Sequence, residues 1–514
     1  MLCHFDATPF LFLKTAIKGP WMSDFIIFSI DVFASIFIVA LGLIVLTVIV
    51  FYFRDITQTK HAIRRNYPVI GRFRYFFERQ GEFFRQYFFA LDREEMPFNR
   101  AERSWVYRAA KDVDRTAAFG STQSLEVTGT VMFMNCAFPT LDEEALDPSN
   151  VTLGPYCKTP YTTNSLFNIS GMSFGALSKP AVRALSKGAK LAGCWMNTGE
   201  GGLSPYHLEG GADLVFQIGT AKYGVRDELG NLSIDKLKEI AAHKNVKMFE
   251  LKLSQGAKPG KGGMLPGKKV NAEIAKIRGI PEGKDSISPN GHPEIKKPSD
   301  ILDMIATVRN ATGKPTGFKA VIGDYTWLET LFAEINHRGL ESAPDFITID
   351  SADGGTGAAP QPLLDSVGLP LRESLPLVVN MLEKHGLTGR VKVIVSGKLI
   401  VPSKVAWALA LGADFVVSAR GHMFALGCIQ AMQCNKDTCP TGVTTHNERL
   451  QRGLNVADKA QRVANYNKYI HYGAGLIAHS CGVTSARELR RKHVRIVQES
   501  GLSEPLDKIY ENYQ

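Results

Sequence analysis

The chain has 514 residues, 45% of them hydrophobic and 21% charged, with 47 glycines and 8 cysteines. That balance excludes a largely disordered protein, and the length admits one large domain or several ordinary ones. The formal charge of +10 does not point to nucleic acid: half of the excess lies between Arg54 and Arg79, and no recognition motif accompanies it.

The first element is "VFASIFIVALGLIVLTVIVFYF", Val32 to Phe53, which runs 22 residues without a formal charge. At about 1.5 Å per residue it is long enough to cross a hydrocarbon core of about 30 Å. It is too long for the apolar region of a signal peptide, and Tyr52-Phe53-Arg54 is the aromatic-then-basic edge that a membrane interface favours. We therefore read residues 1–24 as a leading segment and 25–53 as a single transmembrane helix, with Met22 an alternative start to Met1. Arginines beyond residue 54 outnumber Lys14 and Lys18, so the positive-inside rule places the rest of the chain in the cytoplasm.

We read residues 54–115 as a basic, aromatic juxtamembrane segment near the membrane surface, with membrane lipid an expected partner of its basic stretch from Arg54 to Arg79. Apolar residues recur there at helical spacing, which predicts one or two helices whose aromatic stripe is packing. The buried core is expected almost wholly beyond residue 110. Between Ser121 and Pro160 short segments with turns predict a lead-in that covers the bottom or edge of the domain beyond it.

Residues 116–514 change pattern. Eight short apolar runs alternate with helical stretches: "LFNISGMS", "GCWMNTGE", "LVFQIGTA", "KMFELKLS", "TGFKAVIG", "DFITIDSA", "VKVIVSGK" and "DFVVSARG". Near-continuous apolarity suits parallel strands covered on both faces, and eight of them with crossovers predict an α/β fold, a TIM (β/α)8 barrel; a doubly wound open sheet is the alternative. Four glycine-rich loops, "GMSFGALSK", "NTGEGGLSPYH", "LKLSQGAKPGKGGMLPGKKV" and "SADGGTGAAP", come after the first, second, fourth and sixth runs. Glycine lets backbone N–H groups approach a ligand without a Cβ in the way, so a ligand site is expected at these strand ends.

The stretch "CIQAMQCNKDTCPTG" gathers Cys428, Cys434 and Cys439 within a dozen residues. A disulfide, a metal or iron–sulfur ligand set, and coincidence are the candidate explanations. A cytoplasmic location disfavours the disulfide.

The strings "NTGEGG", "QGAKPGKGGMLPGKKV", "IAKIRGIPEGKDSISPNGHPEI", "DGGTGAAP" and "GCIQAMQCNKDTCPTGV" occur in an order that resembles the FMN-binding synthase domain of glutamate synthase, over about Phe167 to Arg452. The resemblance is closest to stand-alone, membrane-anchored FMN-binding members of that family. It implies a [3Fe–4S] cluster on Cys428, Cys434 and Cys439. It implies FMN held by Gly171, Met172, Ser173, Lys319, Gly354, Gly355, Gly397, Ala419 and Arg420, with Lys319 beside the flavin N1–C2 carbonyl. Lys319 and Glu200 are the catalytic residues it implies. Lys258, Met264 and Arg278 take the positions of the substrate-binding groups, Arg278 being suited to a bidentate grip on a carboxylate.

The implied reaction is reduction of the imine of 2-oxoglutarate and ammonia to L-glutamate, with ferredoxin or another carrier as electron donor. Met264 replaces the family's usual Gln and Leu203 an acidic residue, which leaves a related 2-oxo acid or an N-alkyl amino acid as alternatives, while the membrane anchor leaves membrane-linked flavin electron transfer as another. No glutaminase domain and no dinucleotide fingerprint are expected, so ammonia would come from elsewhere, for example a separate glutaminase subunit.

Overall fold

The computed structural model describes residues 24–113 and 116–511, which fall into two compact units meeting between Met96 and Pro97.

In the first unit, helix α1 (Asp24–Thr57) is long and apolar enough to cross a membrane, and none of its apolar stretch is buried. It runs a turn beyond Phe53, because the Asp55 carboxylate at its end is tied to Arg72. A short helix, Ala62–Asn66, leads through Pro68 to α2 (Gly71–Phe84), which continues as a π-helical turn, Arg85–Phe89. The aromatic stripe of α2 does not pack as expected. Phe73, Phe76, Phe77 and Phe83 are all exposed.

The second unit begins with a helix whose periodicity groups it with the juxtamembrane segment. Helix α3 (Arg100–Ala110) is capped by Asn99, whose side chain accepts from the Glu102 N–H. It buries Val106, Ala109 and Ala110, and with Phe98 these are the described core residues that precede residue 111; the rest of the core lies beyond 110, as expected.

All eight apolar runs form strands: β1 (Phe167–Ile169), β2 (Met196–Asn197), β3 (Leu214–Ile218), β4 (Val246–Lys252), β5 (Thr316–Ala320), β6 (Phe346–Asp350), β7 (Lys392–Ser396) and β8 (Phe415–Ser418). Each pairs in parallel with its neighbour in sequence, and β8 returns to β1 through Val416 opposite Phe167, closing the barrel. The open-sheet alternative is thereby excluded. Closure removes both sheet edges, and a shell of helices covers the outer face.

Helix α4 (Lys179–Ala192) shows how the crossovers are punctuated: Ser178 caps its first turn, Pro180 opens it, and Gly193 ends it at φ 67°. It packs against α7 (Val456–Ser480), which also covers α3. Inside the barrel, Trp195, Val215, Met248, Phe346, Ile394 and Phe415 form a separate apolar layer. Leu153 and Tyr161, from the hairpin Val151–Leu153 and Tyr161–Thr163, plug the bottom of that layer, as the lead-in was expected to do. A Cβ on Gly317 would lie 2.2 Å from the Phe346 carbonyl, so only glycine lets that ring fill the interior. With the bottom closed, the open end is the carboxyl end of the strands.

Candidate active site

Every residue singled out in the barrel sits at or just beyond a strand's carboxyl end. Gly171, Met172 and Ser173 come after β1, and Glu200 after β2. The long β4–β5 connection carries Lys258, Met264 and α5 (Ala272–Arg278), while Lys319 lies within β5. Gly354 and Gly355 come after β6, Gly397 after β7, and Ala419 and Arg420 open α6 (Arg420–Leu426) after β8.

At the floor of the mouth, the buried Glu250 carboxylate accepts from Asn197 Nδ2 at 2.9 Å, Gln217 Nε2 at 2.6 Å and Thr348 Oγ1 at 2.7 Å. Three neutral donors hold it, so it presents a fixed polar surface. Above it stands a buried cation group. Lys252 Nζ donates to Glu200 Oε1 at 2.6 Å and to Gln255 Oε1 at 2.7 Å. Lys319 Nζ is 3.9 Å from Asp350, whose other role is to accept from the Gly256 N–H at 3.0 Å.

Burial alone would raise the Glu200 carboxyl, but Lys252, Lys258 and Arg278 hold it at about 2. Lys258 goes the other way: burial and the Lys252 and Lys319 ammonium groups bring it down to about 8, against the pull of Glu200. The site therefore keeps a carboxylate ionised while poising one lysine to exchange a proton near neutrality.

Arg278 is buried at the end of α5. Its Nη1 donates to Ser286 Oγ at 3.1 Å, that hydroxyl donates to Tyr223, and the guanidinium stands 5.2 Å from the Tyr223 ring centroid. Its buried Nε–H has no acceptor among the described residues. A Cβ on Gly201 would come within 3.0 Å of Arg278 Nη2, so the glycines of "NTGEGG" leave room for the fork. Met264 is exposed, in a two-residue strand opposite Ile287, and Leu203 packs against the core.

The cysteine loop is strained and braced. Gln430, Met432 and Asp437 all adopt positive φ, which costs non-glycine residues energy and persists only where surroundings over-determine it. The braces come from three directions. Tyr107 Oη of α3 donates to the Cys428 carbonyl at 2.6 Å, and the Gln430 amide exchanges two hydrogen bonds with the Phe98 backbone. Buried Lys269 donates to the carbonyls of Ala176, Cys434 and Thr444 at 3.1, 3.3 and 2.7 Å, joining the substrate-side loop, the β1 loop and the cysteine loop.

Burial pushes the Cys428 thiol up to about 12, with smaller contributions in the same direction from Cys434 and Cys439. Among the described residues, no three His, Cys, Asp or Glu side chains converge in the geometry of a metal site.

Some supporting residues escape a reading of the sequence. Lys252 lies in the quoted string "LKLSQGAK" but carries no spacing signal of its own. His292 Nε2 meets the Lys252 carbonyl at 3.1 Å, and His207, which burial brings down to about 4, meets the Met172 carbonyl through Nε2 at 3.2 Å. Lys269 reads in sequence as one more surface lysine.

A closed parallel barrel whose mouth gathers buried lysines and an arginine around the ionised Glu200 is a TIM-barrel protein. The chain belongs to the glutamate synthase family, whose enzymes are oxidoreductases acting on CH–NH2 groups: the family's conserved region matches residues 141–484. It is 40% identical to a glutamate synthase large subunit-like protein, YerD, of Bacillus subtilis, over 92% of this chain and 97% of that one. It is 34% identical to the archaeal glutamate synthase [NADPH] of Methanocaldococcus jannaschii, over 64% of this chain and 61% of that protein. A solved mandelate oxidase variant with 2-hydroxy-phenylacetamide is 16% identical at a TM-score of 0.45, over 77% of this chain and 98% of that one.

Proposed function

We propose that this chain is an FMN- and iron–sulfur-dependent oxidoreductase of glutamate-synthase type that reduces the imine of 2-oxoglutarate and ammonia to L-glutamate. The observation that carries the reading is the buried Arg278 guanidinium with an unpartnered Nε–H, beside Lys252 and Lys258 at the barrel mouth. A buried donor of that kind calls for an acceptor, and a carboxylate suits it.

The residues fit FMN. A Cβ on Gly355 would lie 2.8 Å from Arg420 Nε, and one on Gly397 would lie 2.3 Å from Ser351 Cβ, so both glycines permit close approach in the proposed phosphate cradle. Arg420 itself is steadied by the Asp353 carbonyl at 3.2 Å and the Phe98 ring at 4.6 Å. The three thiols of one braced loop are a soft donor set suited to iron. When bound, FMN supplies hydride transfer and a [3Fe–4S] cluster supplies one-electron relay from ferredoxin or another donor.

The chain's own residues do the rest. Arg278 and Lys258 bind the two carboxylates, Glu200 holds Lys252 in place, and Lys319 presents a cation to the flavin N1–C2 edge. Lys258 is the group able to give or take a proton near neutral pH. The exposed, apolar Met264 favours a second reading, in which an N-alkylated amine replaces ammonia. An exposed apolar α1 is compatible with a third, electron transfer to a membrane carrier. We place the barrel on the cytoplasmic side of the membrane, with ammonia free or delivered by a separate subunit.

The test is glutamate formation by the purified full-length chain from 2-oxoglutarate and ammonia with reduced ferredoxin, alongside its absorbance spectrum. A protein with no flavin band, or one that makes no glutamate with both cofactors loaded, would sink the reading.

Two further results are expected. Because the charged form of Lys258 grips the substrate, kcat/KM for 2-oxoglutarate should be level below about pH 8. Above it, kcat/KM should fall about tenfold per pH unit. Lys258→Arg should move that break upward, and an unmoved break would assign it to another group. Gly355→Ala should displace Arg420 and weaken FMN retention by about one to two orders of magnitude, read by flavin fluorescence on dilution, since a charge-assisted hydrogen bond is worth about 1.5–3 kcal/mol.

A further inference from the structure

The first unit ends α1 in an elbow whose rigidity has no counterpart in a simple linker. The Asp55 carboxylate is buried, accepting from Arg72 Nε and Nη2 at 2.8 Å each and from the Val69 N–H at 3.0 Å. Val69 is held at φ 66°, an unfavourable conformation for a β-branched residue. The Arg72 guanidinium lies 3.9 Å from the Phe51 ring centroid, at the last turns of the apolar stretch. A Cβ on Gly71 would lie 2.8 Å from the Ile63 carbonyl, so the chain can fold back this tightly only with glycine there. Gln58 closes the turn, bonding both the Asp55 and His61 carbonyls and the His61 N–H.

This elbow sets α2 at a fixed place beside the end of α1. At about 100° per residue, Phe73, Phe76, Phe77, Phe83 and Phe84 fall on one arc of about 120° that also holds Gln80, with Arg74, Glu78, Arg79 and Glu82 outside it. Tyr87 and Phe88 extend the stripe, and these seven rings remain 40–67% exposed. Seven exposed aromatics on one helix form an apolar face much larger than the scattered single residues of a soluble surface.

We propose that α2 lies in the plane of the bilayer interface, its aromatic face sunk at the level where acyl chains meet headgroups, and its Arg74 and Arg79 side chains reaching the phosphates of anionic lipid. The proposal rests on reading α1 as membrane-spanning. Lipid is the occupant for three reasons. The first turn of α2 is tied to the end of the unburied apolar stretch of α1, through Arg72 on the Phe51 ring; aromatic rings prefer the interfacial layer; and arginines flanking the stripe extend their apolar stems along it while their heads stay in the polar zone. The salt-bridged elbow then acts as a depth gauge, keeping α2 from rotating out of the interface as α1 tilts.

The experiment uses the full-length chain in vesicles of phosphatidylcholine and phosphatidylglycerol. Phe77→Trp places a reporter on the aromatic arc and Glu78→Trp one on the opposite side, each read against the wild type's 5 tryptophans. Lipids brominated near the headgroup end should remove most of the added Phe77→Trp fluorescence, lipids brominated near the chain end should remove less, and Glu78→Trp should respond as wild type does. Phe84→Trp, on the same arc, gives the same reading if Phe77→Trp does not fold. A Phe77→Trp signal quenched only by aqueous iodide, or shielded from iodide and bromine alike by a protein neighbour, overturns the proposal. Retention through an alkaline wash supports a spanning α1 in either case. Release by that wash would remove the spanning reading and the proposal with it.

Discussion

Cys434→Ser is expected to remove most of the protein-bound iron while leaving FMN in place. The substitution is nearly isosteric, and the loop backbone does not depend on the thiol: Lys269 holds Cys434 by its carbonyl, while Tyr107 and Gln430 hold the neighbouring turn. A serine hydroxyl is a poor substitute for a soft thiolate toward iron. The proposed flavin cradle draws on the ends of β1, β6, β7 and β8, not on the Cys434 side chain, so flavin retention is a control for folding. The measurement is iron and flavin per chain after anaerobic purification. Unchanged iron would show that the three cysteines are not the ligand set, whatever the fate of the flavin.

Arg278→Lys is expected to raise the KM for 2-oxoglutarate by one to two orders of magnitude with a smaller effect on kcat. The guanidinium is shaped and oriented for two parallel bonds, its Nη1 anchored on Ser286 and its plane set against Tyr223. A lysine keeps the charge but gives up that fork geometry, and a lost charge-assisted bond is worth about 1.5–3 kcal/mol. Met264→Gln should act in the opposite sense, lowering the KM by supplying a polar contact. Steady-state turnover with pyruvate as the control substrate separates the carboxylate grip from general damage. If Arg278→Lys leaves 2-oxoglutarate kinetics untouched, the glutamate reading falls and the flavin and iron–sulfur assignments must stand on other grounds.

What could be read in the sequence was local. An uncharged 22-residue run, eight apolar runs of strand length and four glycine-rich strand ends are short-range patterns, and the helix, the barrel and its open mouth arise from them. So does the cation content of the site, because Lys258 and Arg278 sit in distinctive strings.

The features that stayed hidden depend on long-range meeting of groups. Lys252 becomes a site residue only because Glu200, 52 positions earlier, folds back to within 2.6 Å of it. Lys269 ceases to be a surface lysine when three loops offer it carbonyls, and His207 supports Met172 from 35 residues away. The burial of α3 stayed hidden for the same reason: its apolar spacing matches that of the juxtamembrane helices, and contact with α6 and α7 is what buries it. Conversely, the stripe of α2 reads as core by periodicity, yet among the described residues of its own unit its rings meet chiefly one another and stay exposed. Periodicity says which residues share a face. Only the tertiary structure decides what, if anything, covers it, because burial is a property of the neighbour as much as of the residue.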